Sequence, residues 1–136
     1  MAETLFYLNR SEILLINKLM IQNFGGEYFH EKSNLRFPNE LDFLLSAIRG
    51  DISHYDDFSL FEKSSFLCVR IIQNHIFFDG NKRTGFEASN LFLRVNNYEL
   101  IFDVFSAIKV SLRIAKKEID YLDFSKWLEE RAERII

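Results

Sequence analysis

Nine consecutive residues, His75-Ile76-Phe77-Phe78-Asp79-Gly80-Asn81-Lys82-Arg83, bring together an imidazole, a carboxylate, a glycine, an amide and two cations. Such a set can manage a nucleotide phosphate, its magnesium ion and a proton acceptor. Imidazole accepts a hydroxyl proton near neutral pH, so His75 is a candidate general base for attack on phosphorus. Mg²⁺ takes one or two carboxylates and completes its shell with phosphate oxygens and water, so Asp79 alone suffices as a protein ligand. Gly80 permits positive φ and close approach of backbone to phosphate. Asn81 can orient phosphate or backbone. Lys82 and Arg83 supply charge, and an arginine can bind two phosphate oxygens at once. Each residue also has a plainer reading: a histidine at the core edge, a turn aspartate in an Asp-Gly pair, a basic pair on a solvated helix face. Phe77 reads as an aromatic anchor that fixes where His75 and Asp79 point.

The elements that must hold these groups are read from the flanking periodicity. A first helix is expected over about Ser11 to Asn23, capped by Ser11, with Ile13, Ile16, Met20 and Phe24 on one stripe and Gly25-Gly26 at its end. Glu27 to Phe37 lacks a helical period and reads as a loop or short hairpin. Pro38-Asn39 opens a second helix with Leu41, Leu44, Leu45 and Ile48 at helical spacing, closed by Gly50. A third, about Ser59 to Asn74, carries Phe61, Cys68 and Ile72. His75 lies seven residues after Cys68 and is expected to continue that stripe. The fourth helix buries Ala88, Leu91, Phe92 and Val95. Its start has two readings, an Asn81 cap or a Thr84/Glu87 capping box. The first puts Lys82 and Arg83 in the opening turn, against the helix dipole, which calls for an anion there. Asn96-Asn97 marks a turn, and Tyr98 to Phe102 a short strand or connector. A fifth helix spans about Val104 to Lys117, with Phe105, Ile108, Leu112 and Ala115 in register. The last, about Leu122 to Arg134, buries Phe124, Trp127 and Leu128. The fold class is all-α: a bundle of about six helices with a flap or hairpin near residues 26–37.

At 136 residues the chain reads as a single domain over 1–136, large enough to bury its own core. A net charge of −3 argues against non-specific nucleic-acid binding, and no direct contact with nucleic acid is expected. The single Cys68 excludes an intrachain disulfide and suits a reducing cytoplasm. Met1 to Tyr7 has no secretory character, and no apolar run is long enough to span a bilayer, so a cytoplasmic protein without membrane contact is expected. His30 and His54 have no chemical company. Cys68 and the histidines lack zinc spacing, and no P-loop or Rossmann glycine pattern is present.

The nine-residue run resembles the motif of the Fic/Doc family: His, any residue, Phe, any residue, Asp or Glu, Gly or Ala, Asn, Gly or Lys, Arg. Lys82 in the slot before Arg83 resembles the Doc branch, the death-on-curing toxins. Gly25-Gly26, Asn34-Leu35-Arg36 and the stretch from Phe92 to Tyr98 resemble flanking segments of the family. Many members have Pro where Ile76 stands. AMP-transferring members have Gly where Lys82 stands and a second Arg where Phe86 stands, so both differences favour the Doc-like subgroup.

The resemblance implies a Fic-like helical bundle and a toxin of a toxin–antitoxin system. It implies phosphoryl transfer from ATP, with Mg²⁺, to a Ser or Thr hydroxyl of a protein. His75 would be the base, Asp79 the metal ligand, and Gly80, Asn81, Lys82 and Arg83 the phosphate cradle. The subgroup's known target is the translation elongation factor Tu. The flap around Tyr28 to Phe37 would hold the target peptide by strand-like pairing. The self-inhibitory pattern of Fic-type enzymes is met only in spacing, by Ser125 with Glu129 followed by Glu130, so restraint by a separate antitoxin in trans is expected. The alternative is a Fic-type AMP transferase. More remote are a catalytically silent binding module and a HEPN-like ribonuclease, whose Arg-x4-His motif Arg70 and His75 resemble. The HEPN reading leaves Asp79 to Arg83 unexplained.

Overall fold

The computed structural model describes residues 4–28 and 33–135. Six helices follow in order: α1 (Arg10–Phe24), α2 (Pro38–Ile48), α3 (Leu60–Gln73), α4 (Asn81–Val95), α5 (Val104–Ala115) and α6 (Tyr121–Arg131). Two short strands, β1 (Tyr98–Leu100) and β2 (Ala132–Arg134), pair antiparallel, with Glu99 opposite Glu133. The architecture is the expected all-α bundle. Residues 29–32 of the expected flap, with His30, lie outside the described residues.

Helix α3 is the hub. Every residue from Lys63 to Val69 is buried, as a helix surrounded by others requires. Leu67 and Ile71 join the core shared with α1, α2 and Phe92 of α4. Cys68, Val69 and Ile72 join a second cluster with Val110, Ile114, Phe124 and Leu128 of α5 and α6. Burial also pushes the Cys68 thiol up strongly, which keeps it protonated and inert. The α3–α4 crossing is close. A Cβ added at Gly85 would lie 2.9 Å from Cys68 O, and the hydroxyl of Ser64 donates to Ser89 O at 3.0 Å. That proximity sets the distance between the C-terminal end of α3 and the N-terminal end of α4, between which the nine-residue motif is strung.

Several boundaries differ from the sequence reading. Helix α1 starts earlier because Asn9, not Ser11, caps it: Asn9 Oδ1 accepts from Glu12 N–H and Glu12 Oε1 from Asn9 N–H, each at 2.9 Å. Phe24 at its end is exposed, and Leu93 rather than Val95 is buried on α4. Helix α6 stops at Arg131, since Ala132 is extended and its strand is recruited by Tyr98–Leu100. Most different is α5, which buries Val110, Ser111 and Ile114. The stripe of Phe105, Ile108 and Leu112 faces outward instead, with Phe105 85% exposed.

Candidate active site

His75 does not continue the α3 stripe. The helix ends at Gln73 with Asn74 as its cap, and His75 takes a left-handed backbone, φ 48°. Its N–H donates to Ile72 O and that of Ile76 to Ile71 O, both at 3.4 Å. These paired bonds close a helix through a left-handed residue, a place that glycine usually fills. Ile76 then turns into the core, fully buried, while the imidazole is left exposed. The chain reverses so sharply that His75 sits on the surface although Cys68 is buried.

The next residues are clamped. Phe77 is 1% exposed, as an anchor should be, and bridges Leu35 of the flap in antiparallel register. Arg36 and Phe37 N–H donate to Ile76 O (2.8 and 3.1 Å), and Phe78 N–H to Asn34 O (3.0 Å). Asn81 commits both ends of its amide here: Oδ1 accepts from Phe77 N–H and Nδ2 donates to Phe77 O, each at 2.9 Å. What Asn81 can offer a phosphate is its backbone N–H and the second N–H of Nδ2.

The Asp79 carboxylate is oriented by main chain. Oδ1 accepts from Gly80 N–H (2.7 Å) and Oδ2 from Glu27 N–H (2.9 Å). Each oxygen keeps acceptor capacity for a cation. Gly26 explains the approach of the second donor, because a Cβ there would lie 3.1 Å from Asp79 Oδ2. Among the described residues no group of three His, Cys, Asp or Glu side chains could hold a metal ion. A lone carboxylate with acceptor capacity to spare is a donor for a cation that takes its other oxygens from water or a ligand.

Helix α4 begins on the Asn81 side of the two readings, with Gly80 as the N-cap at φ 77° and no side-chain cap. Thr84 is instead buried in the first turn, and its N–H is the first to bond back, to Gly80 O at 2.9 Å. The N–H groups of Asn81, Lys82 and Arg83 are left for a ligand or water. The first turn holds no acidic residue, and Lys82 and Arg83 are exposed without a carboxylate partner among the described residues. Arg83 instead donates to Phe24 O (3.1 Å), with its guanidinium 5.1 Å from the Phe24 ring centre. An uncapped helix start bearing two cations offers the donors and the charge that suit an anion.

All six candidate residues line one cleft of about 970 Å³. Phe86 and the outward stripe of α5, Ile108 and Leu112 included, form its apolar side. Phe86 also packs on Phe102, Phe124 and Trp127, at ring separations of 5.1, 6.4 and 5.9 Å. Glu87 borders the same cleft; burial raises its pKa, against the lowering effects of Asn90 and Arg94.

The Fic/DOC family profile matches residues 7–93, the segment that contains α1 to most of α4 and the whole motif. The chain belongs to the Fic/DOC family. Two relatives lie in its Doc branch. A protein named Protein kinase doc, from Escherichia phage P1, is 26% identical over 97 residues, 71% of this chain and 72% of its own. A Toxin Doc from Mycolicibacterium smegmatis is 29% identical over 117 residues, 84% of each chain.

For this Fic/DOC protein the motif marks the cleft but not all that supports it. Asn17 of α1, which donates to Asp79 O (2.9 Å) and Thr84 Oγ1 (3.0 Å), went unnoticed. Its signal was available: Asn17 is four residues after Ile13, a polar side chain on the buried stripe. The left-handed turn at His75 had no signal, because a histidine stands where glycine would have announced it.

Proposed function

We propose that this protein is a toxin kinase that transfers the terminal phosphoryl group of ATP to a Ser or Thr hydroxyl of a protein target. The observation that carries the reading is the uncapped, doubly cationic start of α4 beside the exposed imidazole of His75. Its backbone N–H groups with Lys82 and Arg83 suit the phosphates, and Asp79 suits their Mg²⁺. Mg²⁺, when bound, offsets phosphate charge and orients the transferred group. His75 takes the proton of the target hydroxyl as its oxygen bonds to the terminal phosphorus. The bond from that phosphorus to the bridging oxygen breaks, and ADP leaves. Lys82 and Arg83 hold the charge that builds on the oxygens.

Phe86 favours phosphoryl over AMP transfer. Where AMP-transferring members have a second Arg, this chain has a ring built into an aromatic cluster, and among the described residues that line the cleft Arg83 is the one arginine. The name Protein kinase doc of the phage P1 relative points the same way. A HEPN-like ribonuclease gains no support, because the Arg70 guanidinium lies over the Phe66 ring, 5.3 Å from its centre. We further propose restraint by an antitoxin in trans. The outward apolar stripe of α5 supports a partner, since contiguous exposed apolar surface marks interaction sites. Among the described residues no helix is long and apolar enough to cross a membrane.

The test is transfer of label from ATP in a bacterial lysate and to purified elongation factor Tu, the target to try first. Terminal-phosphate label on one protein, lost in His75→Ala and suppressed by the product of the neighbouring reading frame, is the expected result. Label carried only from the α-phosphate would make the protein an AMP transferase. Folded protein that transfers neither label would leave a binding module.

A further inference from the structure

We infer that Asn17, a residue outside the motif, is a positioning residue of the cleft: it holds the Asp79 main chain, and through it the Asp79 carboxylate, where a divalent cation is received. The inference rests on the proposed reading of Asp79 as cation ligand. Asn17 sits in the middle of α1 and is 0% exposed. Its Nδ2 donates to Asp79 O, just before Gly80, and to Thr84 Oγ1, in the first turn of α4. One amide therefore ties the exit of the motif loop to the entry of the helix. Asn34 Nδ2 is the other side-chain donor near Asp79 O, at 3.5 Å, and it is shared with Glu27 O at 3.3 Å. Asn17 makes the short bond.

Two further observations separate this role from ordinary core packing. Among the described residues Asn17 Oδ1, which is buried, has no hydrogen-bond partner. An unpartnered buried acceptor is a cost that an apolar residue of the same size avoids, so packing alone does not account for an asparagine there. A Cβ on residue 80 would lie 3.2 Å from Asn17 Nδ2, so the amide reaches its acceptors because residue 80 is glycine, at φ 77°. Asn17 and Gly80 work as a pair. If Asp79 O moves, both N–H donors that aim the carboxylate, Gly80 and Glu27, lose their geometry. Asn17 itself touches no ligand.

The test uses the full chain with Asn17→Leu and Asn17→Ser, and with Ile48→Val, a buried α2 position outside the cleft, as stability control. In ligand-free protein, amide exchange at Gly80 and Glu27 should quicken in both Asn17 variants and not in Ile48→Val. With ADP, the Mg²⁺ concentration for half-saturation in calorimetry should rise about 10–100-fold, the usual effect of losing a residue that orients a metal ligand. The maximal transfer rate at saturating Mg²⁺ should fall far less. Unchanged exchange and unchanged Mg²⁺ dependence in a folded Asn17 variant would overturn the inference. The wild type supplies a check that needs no variant: the Asn17 side-chain amide protons should exchange slowly and shift in NMR spectra on adding Mg²⁺ with ADP. Fast exchange and no shift would overturn it too. A wild type that binds neither Mg²⁺ nor ADP would refute the functional reading and the cation part of this inference, while exchange at Gly80 and Glu27 would still decide whether Asn17 holds Asp79.

Discussion

His75→Gly should make the protein more stable and inactive at once. His75 adopts φ 48° at the position that closes α3, where an L-residue is strained. A left-handed conformation costs an L-residue roughly 1–2 kcal/mol relative to glycine. Glycine returns part of this, about 0.4–1 kcal/mol, because it has more freedom to lose when the chain folds. The imidazole is exposed, so little packing is lost. The net gain is about 0.5–1 kcal/mol, or roughly 2–3 °C in melting temperature for a domain of this size. His75→Ala removes the same base but keeps the strain, so it should gain nothing. Thermal unfolding by circular dichroism on the three proteins isolates the backbone term, and the transfer assay should show a loss of about 10²–10⁴-fold in both variants. If His75→Gly melts no higher than His75→Ala, the strain argument is wrong. If either variant transfers at the wild-type rate, His75 is not the base.

Gly85→Ala should destabilise by about 1–3 kcal/mol, although alanine favours helix, because its Cβ would meet the Cys68 carbonyl at 2.9 Å; the melting temperature reads this. Transfer should fall further than in an equally destabilised variant elsewhere, since α3 through Ile72 and α4 through Asn81, Lys82 and Arg83 both line the cleft. Glu87→Gln should raise stability at neutral pH. Burial lifts the Glu87 pKa in the folded state, so its favourable protonation is complete below the ordinary carboxylate value and is lost as pH rises through the raised one. Urea unfolding from acid to neutral pH should therefore show the gain of the variant shrinking as pH falls. Lys82→Gly should reduce phosphorylation, and the mass added to the target reports any AMP transfer; an unchanged rate would show that Lys82 does not govern the reaction.

Much of this layout was legible from spacing and residue type. Leu41, Leu44, Leu45 and Ile48 are all buried in α2, because their period matches the one face that Pro38 and Gly50 delimit. The start of α4 has two readings, Asn81 and Thr84, because both local signals are present; the helix begins at Asn81 with Gly80 as its cap. What was illegible is tertiary in origin. Ala132-Glu133-Arg134 has helical composition and becomes a strand by pairing with Tyr98–Leu100. The α5 stripe reads as a core face because apolar periodicity tells which residues share a face, not whether that face meets protein or a cleft. The placement of His75 depends on a left-handed residue that sequence rules reserve for glycine.

These failures of local reasoning converge on one place. Four helices, α1, α3, α5 and α6, start on a side-chain cap, and α2 starts on proline. Only α4, among the described elements, begins with neither, and it adds two cations where the dipole opposes them. The strained His75, the unpartnered Asn17 Oδ1 and the outward α5 stripe all lie at or beneath the same cleft. Folding alone would remove each of them with a glycine, a leucine, a capping serine or a polar face. A sequence whose elements otherwise obey local rules keeps such departures where something other than stability is selected. An anion at the α4 start would satisfy its N–H groups, its dipole and both cations together. Binding of an anion there would complete the cleft, and ligand affinity and intrinsic stability would then oppose each other in the same few residues.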